Sequence, residues 1–191
     1  MEADWEVEIG GDAPVIQVRW SGFIDLRLSP ERAPQLPEAA QLPALADSLI
    51  RLNASSSPVW TSKCDVWHPD TFDPDELDAP PGELNCFIAC YIDLLPRADL
   101  RWLDPAQAVA ACRTLCAHLR AATLRRCRAD LIVRQASIAP GLVDVGVTAY
   151  FTACGLTPAA AAAALASALG AFVDSLETLA APARALQSYN E

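Results

Sequence analysis

Cys127-Arg128-Ala129-Asp130-Leu131-Ile132-Val133-Arg134 alternates small or apolar side chains with charged ones, and this stretch decides how the chain is read. Successive side chains of a strand point to opposite faces. Cys127, Ala129, Leu131 and Val133 therefore share one face, and Arg128, Asp130 and Arg134 the other. Residues 127–138 are a half-buried strand. Ala139-Pro140-Gly141-Leu142 reads as a turn, and residues 143–154 return as a second strand. Thr157-Pro158 places a capping hydroxyl before a first-turn proline. It opens a helix to about residue 180, with Leu165, Leu169, Phe172 and Leu176 as its core stripe.

The same plan stands upstream. Residues 59–67 and 86–95 read as strands, and Asp104-Pro105 repeats the capping device to open a helix to about residue 121. Cys90-Tyr91-Ile92 followed by Asp104-Pro105-Ala106 is echoed by Ala149-Tyr150-Phe151 followed by Thr157-Pro158-Ala159, so the plan reads as a ββα duplication. Residues 15–28 alternate as well, with Ile16, Val18, Trp20, Ile24 and Leu26 against Gln17, Arg19, Ser21, Asp25 and Arg27. That pattern predicts a further half-buried strand. Pro43 opens a helix over residues 43–53, where Leu45, Leu49 and Leu52 recur at helical spacing. The order β-α-β-β-α-β-β-α gives an α+β fold: a single, mostly antiparallel five-stranded sheet with three helices on one face. The length suits one domain, residues 1–191.

Charge is unevenly spread. The chain carries 24 acids against 14 bases, a net charge of −10. Residues 1–14 hold five acids and no base, and residues 68–85 hold six acids and no base. The expected picture is a nearly neutral body with an acidic N-terminal arm (1–14) and an acidic loop insertion (68–85). Such a balance argues against nucleic acid and against anionic membrane surfaces as partners, because both need clustered Lys and Arg. The first residues lack the basic start and apolar run of an export signal, and the uncharged run 159–173 is too short to cross a bilayer. With seven cysteines, an odd number without scaffold spacing, the expectation is reduced thiols in a cytoplasm. Thirteen arginines against one lysine, with 36 alanines, suggest a bacterial coding sequence rich in G and C.

By strand and helix parity, six cysteines (all but Cys154) turn toward one helix–sheet interface, where thiols pack as small hydrophobes. Trp60 is expected on that same side. Cys86 and Cys90 lie about 13 Å apart along a strand, too far to share a zinc ion. Cys64 and His68 are separated equally, which argues against a nucleophilic dyad. The acidic loop offers oxygen ligands at Asp73, Asp75 and Asp78 but lacks the glycine and closing glutamate of a calcium loop, so it reads as a solvated, docking or lid segment. No phosphate loop, zinc spacing, nucleophile elbow or dinucleotide fingerprint is present, so no metal or cofactor is expected.

The polar sheet face is the candidate site. Arg19, Lys63, Tyr91, Arg128, Arg134 and Tyr150 are the expected ligand- or partner-binding residues, because an arginine fork grips carboxylate or phosphate. With Asp25, Arg27, Asp65, Asp93, Arg126, Asp130 and Asp144 the face counts six bases and five acids, or +1. Function is expected to be that of a cytosolic non-catalytic binding or regulatory protein, engaging a protein or anionic small-molecule partner. The alternative is a small-molecule enzyme with Asp65, Asp93 and Asp130 as acid/base groups. A third possibility is internal: the acidic arm or loop folds over this face.

Overall fold

The computed structural model describes residues 1–18, 20–80, 86–97, 104–139 and 142–187. The fold is α+β. Its strands are β1 (Glu2–Glu8), β2 (Ile16–Gln17), β3 (Val59–Trp67), β4 (Cys86–Pro96), β5 (Cys127–Ala139) and β6 (Leu142–Gly155). Its α-helices are α1 (Pro37–Gln41), α2 (Pro43–Asn53), α3 (Pro105–Ala121) and α4 (Pro158–Gln187), with 3₁₀ turns at Pro30–Gln35 and Pro74–Leu77. The expected caps are in place: the Asp104 carboxylate accepts from Gln107 N at 2.9 Å, and the Thr157 hydroxyl from Ala160 N at 3.1 Å.

All strands belong to one sheet, in the order β1-β5-β6-β4-β3, with β2 beside the far end of β5. The hairpins β3-β4 and β5-β6 meet at the antiparallel β4/β6 pair, and each is followed by a helix, so the two ββα units occupy equivalent positions. Leu45, Leu49 and Leu52 of α2, Cys112, Leu115 and Leu119 of α3, and Leu165, Leu169 and Phe172 of α4 are all buried in one cluster with the inward strand residues. Six thiols join that cluster: Cys90, Cys112, Cys116 and Cys127 are buried in it, and Cys64 and Cys86 pack against it. Burial pushes Cys64 and Cys112 up to about 12 and Cys116 and Cys127 up to about 11. They are protonated at neutral pH and therefore poor nucleophiles. Residues 158–179 of α4 are long and apolar enough to cross a membrane by length and composition. In this fold Ala161, Leu165, Ala168, Leu169, Phe172, Val173 and Leu176 instead lie in the core.

Several expectations need correction. The sheet has six strands, not five, and is mixed: β3-β4, β4-β6 and β5-β6 are antiparallel as expected, but β1 and β2 run parallel to β5, and the described residues form four α-helices, not three. The expected acidic arm is this edge strand over Glu2–Glu8: Ala3 and Trp5 pack on the core while Glu2, Asp4, Glu6 and Glu8 alternate outward. Among the described residues of 15–28 only Ile16–Gln17 are strand. Ile16 and Val18 form a strap on the open face, buried against Trp60, Leu95 and Ala136, while Leu26 beyond them is buried in the helix-side core and Ile24 packs against it. Gly146 makes room for the strap, since a Cβ there would lie 2.7 Å from Ile16 Cδ1 and 2.9 Å from the Leu94 carbonyl oxygen. At the β3 edge the Ser62 hydroxyl donates to the Gln17 carbonyl at 2.6 Å. Trp60 is also corrected. A register shift between Thr61 and Cys64 reverses parity and puts its ring on the strap side, 3.9 Å beneath the Arg27 guanidinium.

The far end of the same face is covered by residues 72–79. Leu77 and Ala79 are buried with Cys154, and Phe72 and Phe87 pack against them. The strap and this loop leave an exposed trough between them.

Candidate functional site

Register brings the trough together row by row. β4, β6, β5 and β1 align Tyr91, Tyr150, Asp130 and Asp4, and Asp65 of β3 extends that row. The next row holds Asp93, Thr148, Ile132 and Glu6, and the one beyond it Gly146, Arg134 and Glu8. Trp67, Ala89, Thr152, Arg128 and Glu2 form the row on the other side. Trp67, Tyr91 and Tyr150 make a three-ring cluster with centroids 5.6–6.4 Å apart.

The arginines expected to grip a ligand are already occupied. Arg134 donates to Glu8 Oε2 from Nε at 3.0 Å and from Nη2 at 2.7 Å, and its Nη1 donates to the Thr148 and Tyr150 hydroxyls at 3.3 and 3.2 Å. Arg128 donates to Asp130 from Nε at 2.9 Å and from Nη2 at 2.8 Å, with Glu76 of the loop 3.4 Å away. One acid from each acidic segment thus pairs with an arginine of the face. The charge expectation changes with it: β1 adds four acids, Glu2, Asp4, Glu6 and Glu8, beside the arginines of β5.

Two depressions share Tyr150. The larger, about 470 Å³, brings Trp67, Phe72 and Tyr150 against Asp4, Glu6 and Asp130. The smaller, about 230 Å³, lies beside the strap and holds Lys63, Tyr91, Asp93, Arg134 and Thr148. Arg128, Asp130 and Tyr150 therefore stand in the first, and Lys63, Tyr91, Asp93, Arg134 and Tyr150 in the second. Asp65 is exposed and lines neither; it accepts the backbone N–H of Val66 at 2.8 Å. Arg19 lies outside the described residues.

Of the three acid/base candidates only Asp93 is buried, at 6 % exposure. Burial pushes its carboxyl up, against the Thr148 hydrogen bond and the charges of Arg134 and Lys63. Burial, then the charges of Asp93 and Asp65, pushes the Tyr91 hydroxyl up to about 12, so it keeps its proton. A carboxyl raised on folding binds protons more tightly in the native state, so native stability falls as pH rises through its folded value. Asp93→Asn keeps the acceptor for Thr148 and removes the buried charge. It is expected to stabilise the protein by about 1 kcal/mol at pH 7, with the gain shrinking as pH falls toward the ordinary aspartate range. Urea unfolding at several pH values measures this, and a gain that does not change with pH contradicts the assignment.

Sequence reading missed Trp67, Phe72, Glu6, Glu8 and Glu76. Trp67 has the parity of Asp65, and the alternation Ala3, Trp5, Val7 against Glu2, Asp4, Glu6, Glu8 was a visible strand signal hidden by its charge. No sequence signal pointed to the loop contacts. Comparison of this chain with protein-family models, with curated proteins and with solved structures finds no match.

Proposed function

We propose that this is a non-catalytic binding or regulatory protein of the cytosol whose open sheet face holds a basic segment of a partner protein. One observation carries the reading: in the larger depression the rings of Trp67, Phe72 and Tyr150 stand beside Glu6 and beside Asp4, whose carboxylate is 3.6 Å from Arg120, while Arg128 there is held by Asp130. Aromatic faces and carboxylates both attract an ammonium or guanidinium group, and Trp67, 37 % exposed, offers the largest ring. In this depression an anionic small molecule fits less well, since it would have to displace Asp130 from Arg128. The seven cysteines, all thiols, suit a reducing compartment.

Fluorescence anisotropy with labelled peptides rich in Arg and Lys, beside acidic peptides of equal length, tests the reading. Basic peptides are expected to bind with an affinity that weakens as salt rises, and Trp67→Ala to weaken it about tenfold. Equal binding of acidic peptides, or no binding of basic ones, would sink it. The enzyme alternative keeps one supporting observation, the buried Asp93 beside Lys63. Asp65 is exposed and Asp130 is locked on Arg128, so neither is poised to move a proton.

A further inference from the structure

The smaller depression holds two charges of opposite sign with capacity to spare. Asp93 accepts from the Thr148 hydroxyl on Oδ1 at 2.7 Å, and among the described residues its Oδ2 has no hydrogen-bond partner. No buried side-chain oxygen is left unsatisfied among those residues, so Oδ2 must open into the depression that Asp93 lines. A side chain this buried, with one oxygen turned to a cavity, is poised for a donor from outside. Lys63 lines the same depression. Its ammonium lies 5.1 Å from the Trp20 ring centroid and makes no ion pair among the described residues. Lys63 and Asp93 are not in contact with each other as a salt bridge either, so both remain available to a molecule between them.

Size narrows the class. About 230 Å³ has room for about seven water molecules. That is below the roughly 300–1,000 Å³ of pockets that enclose drug-sized ligands, which favours a smaller molecule. Tyr91 and Tyr150 wall the space, and Arg134 is held by Glu8, so the anion-binding group left over is Lys63. We infer that this depression is a binding site for a small zwitterion of the amino-acid class, its carboxylate on Lys63 and its ammonium on Asp93 Oδ2. The site shares the Tyr150 wall with the aromatic depression, but neither Lys63 nor Asp93 lines that one.

Isothermal titration calorimetry of the full chain with glycine, β-alanine, L-serine and L-aspartate tests the inference, with acetate and methylamine as single-charge controls. At least one zwitterion is expected to give saturable binding below about 10 mM, and both controls to bind at least about tenfold more weakly. Lys63→Met and Asp93→Asn are each expected to weaken the zwitterion about tenfold or more. Lys63 is the only lysine in the chain, so its ¹³C-dimethylated ammonium gives a single lysine signal whose shift should follow the same titration. Absence of saturable binding by all four zwitterions overturns the inference. So does binding that survives both substitutions, or acetate binding as tightly as the zwitterions.

Discussion

Phe151→Ala is expected to destabilise the fold by about 3–5 kcal/mol, the range for buried aromatic truncations. Phe151 sits mid-way along β6 and is fully buried, with the Phe172 ring of α4 at 5.1 Å and 67° to it, an edge-on pair. Its partners across the sheet are Cys90 and Ala129, both short. Short neighbours have no spare reach, so the space left by the ring stays open and the lost contacts are not regained. A domain of this size is stable by roughly 5–15 kcal/mol in total, so the variant would be marginal. Urea unfolding should show a lower midpoint at unchanged slope. A loss below about 1 kcal/mol would mean that α4 is not seated on the sheet through this pair.

The helices and the central hairpins were legible because each has a local cause. Pro43, Pro105 and Pro158 stand in first helical turns, and β3 to β6 alternate strongly enough to fix which side chains share a face. What failed to show was non-local. Parallel pairing of β1 with β5 joins residues about 126 positions apart, and a strand bearing four acids looks like a solvated arm until that pairing is known. Residues 15–28 carry a strand pattern for another reason: Ile16 and Val18 face the sheet while Val15 and Gln17 face water. The same alternation serves a strap. At the site, parity put Lys63, Tyr91, Asp93, Arg134 and Tyr150 on one face, and all five line the smaller depression. It could not reveal that Glu8 and Glu76 would already hold the arginines, since that depends on where two distant segments dock.

Arg134→Ala is expected to cost about 2–4 kcal/mol and to loosen β1 at its C-terminal end. The Arg134 side chain is only 11 % exposed, and it fastens Glu8 through two hydrogen bonds while bracing Thr148 and Tyr150. Removing it strands a half-exposed carboxylate and leaves the Thr148 hydroxyl with Asp93 alone. The figure lies below that of a fully buried pair because Glu8 retains solvent contact. Glu8→Gln should therefore cost less, about 1 kcal/mol, since Arg134 keeps its hydroxyl partners. The larger consequence is functional. Arg134 does not line the aromatic depression, but Asp4 and Glu6 do, and both ride on β1. Arg134→Ala should accordingly speed amide exchange over residues 2–8 and weaken basic-peptide binding, whereas Glu8→Gln should do so only slightly. Unchanged exchange in β1 would show that the strand is held by its backbone ladder to β5, and the acidic rim would then be independent of Arg134.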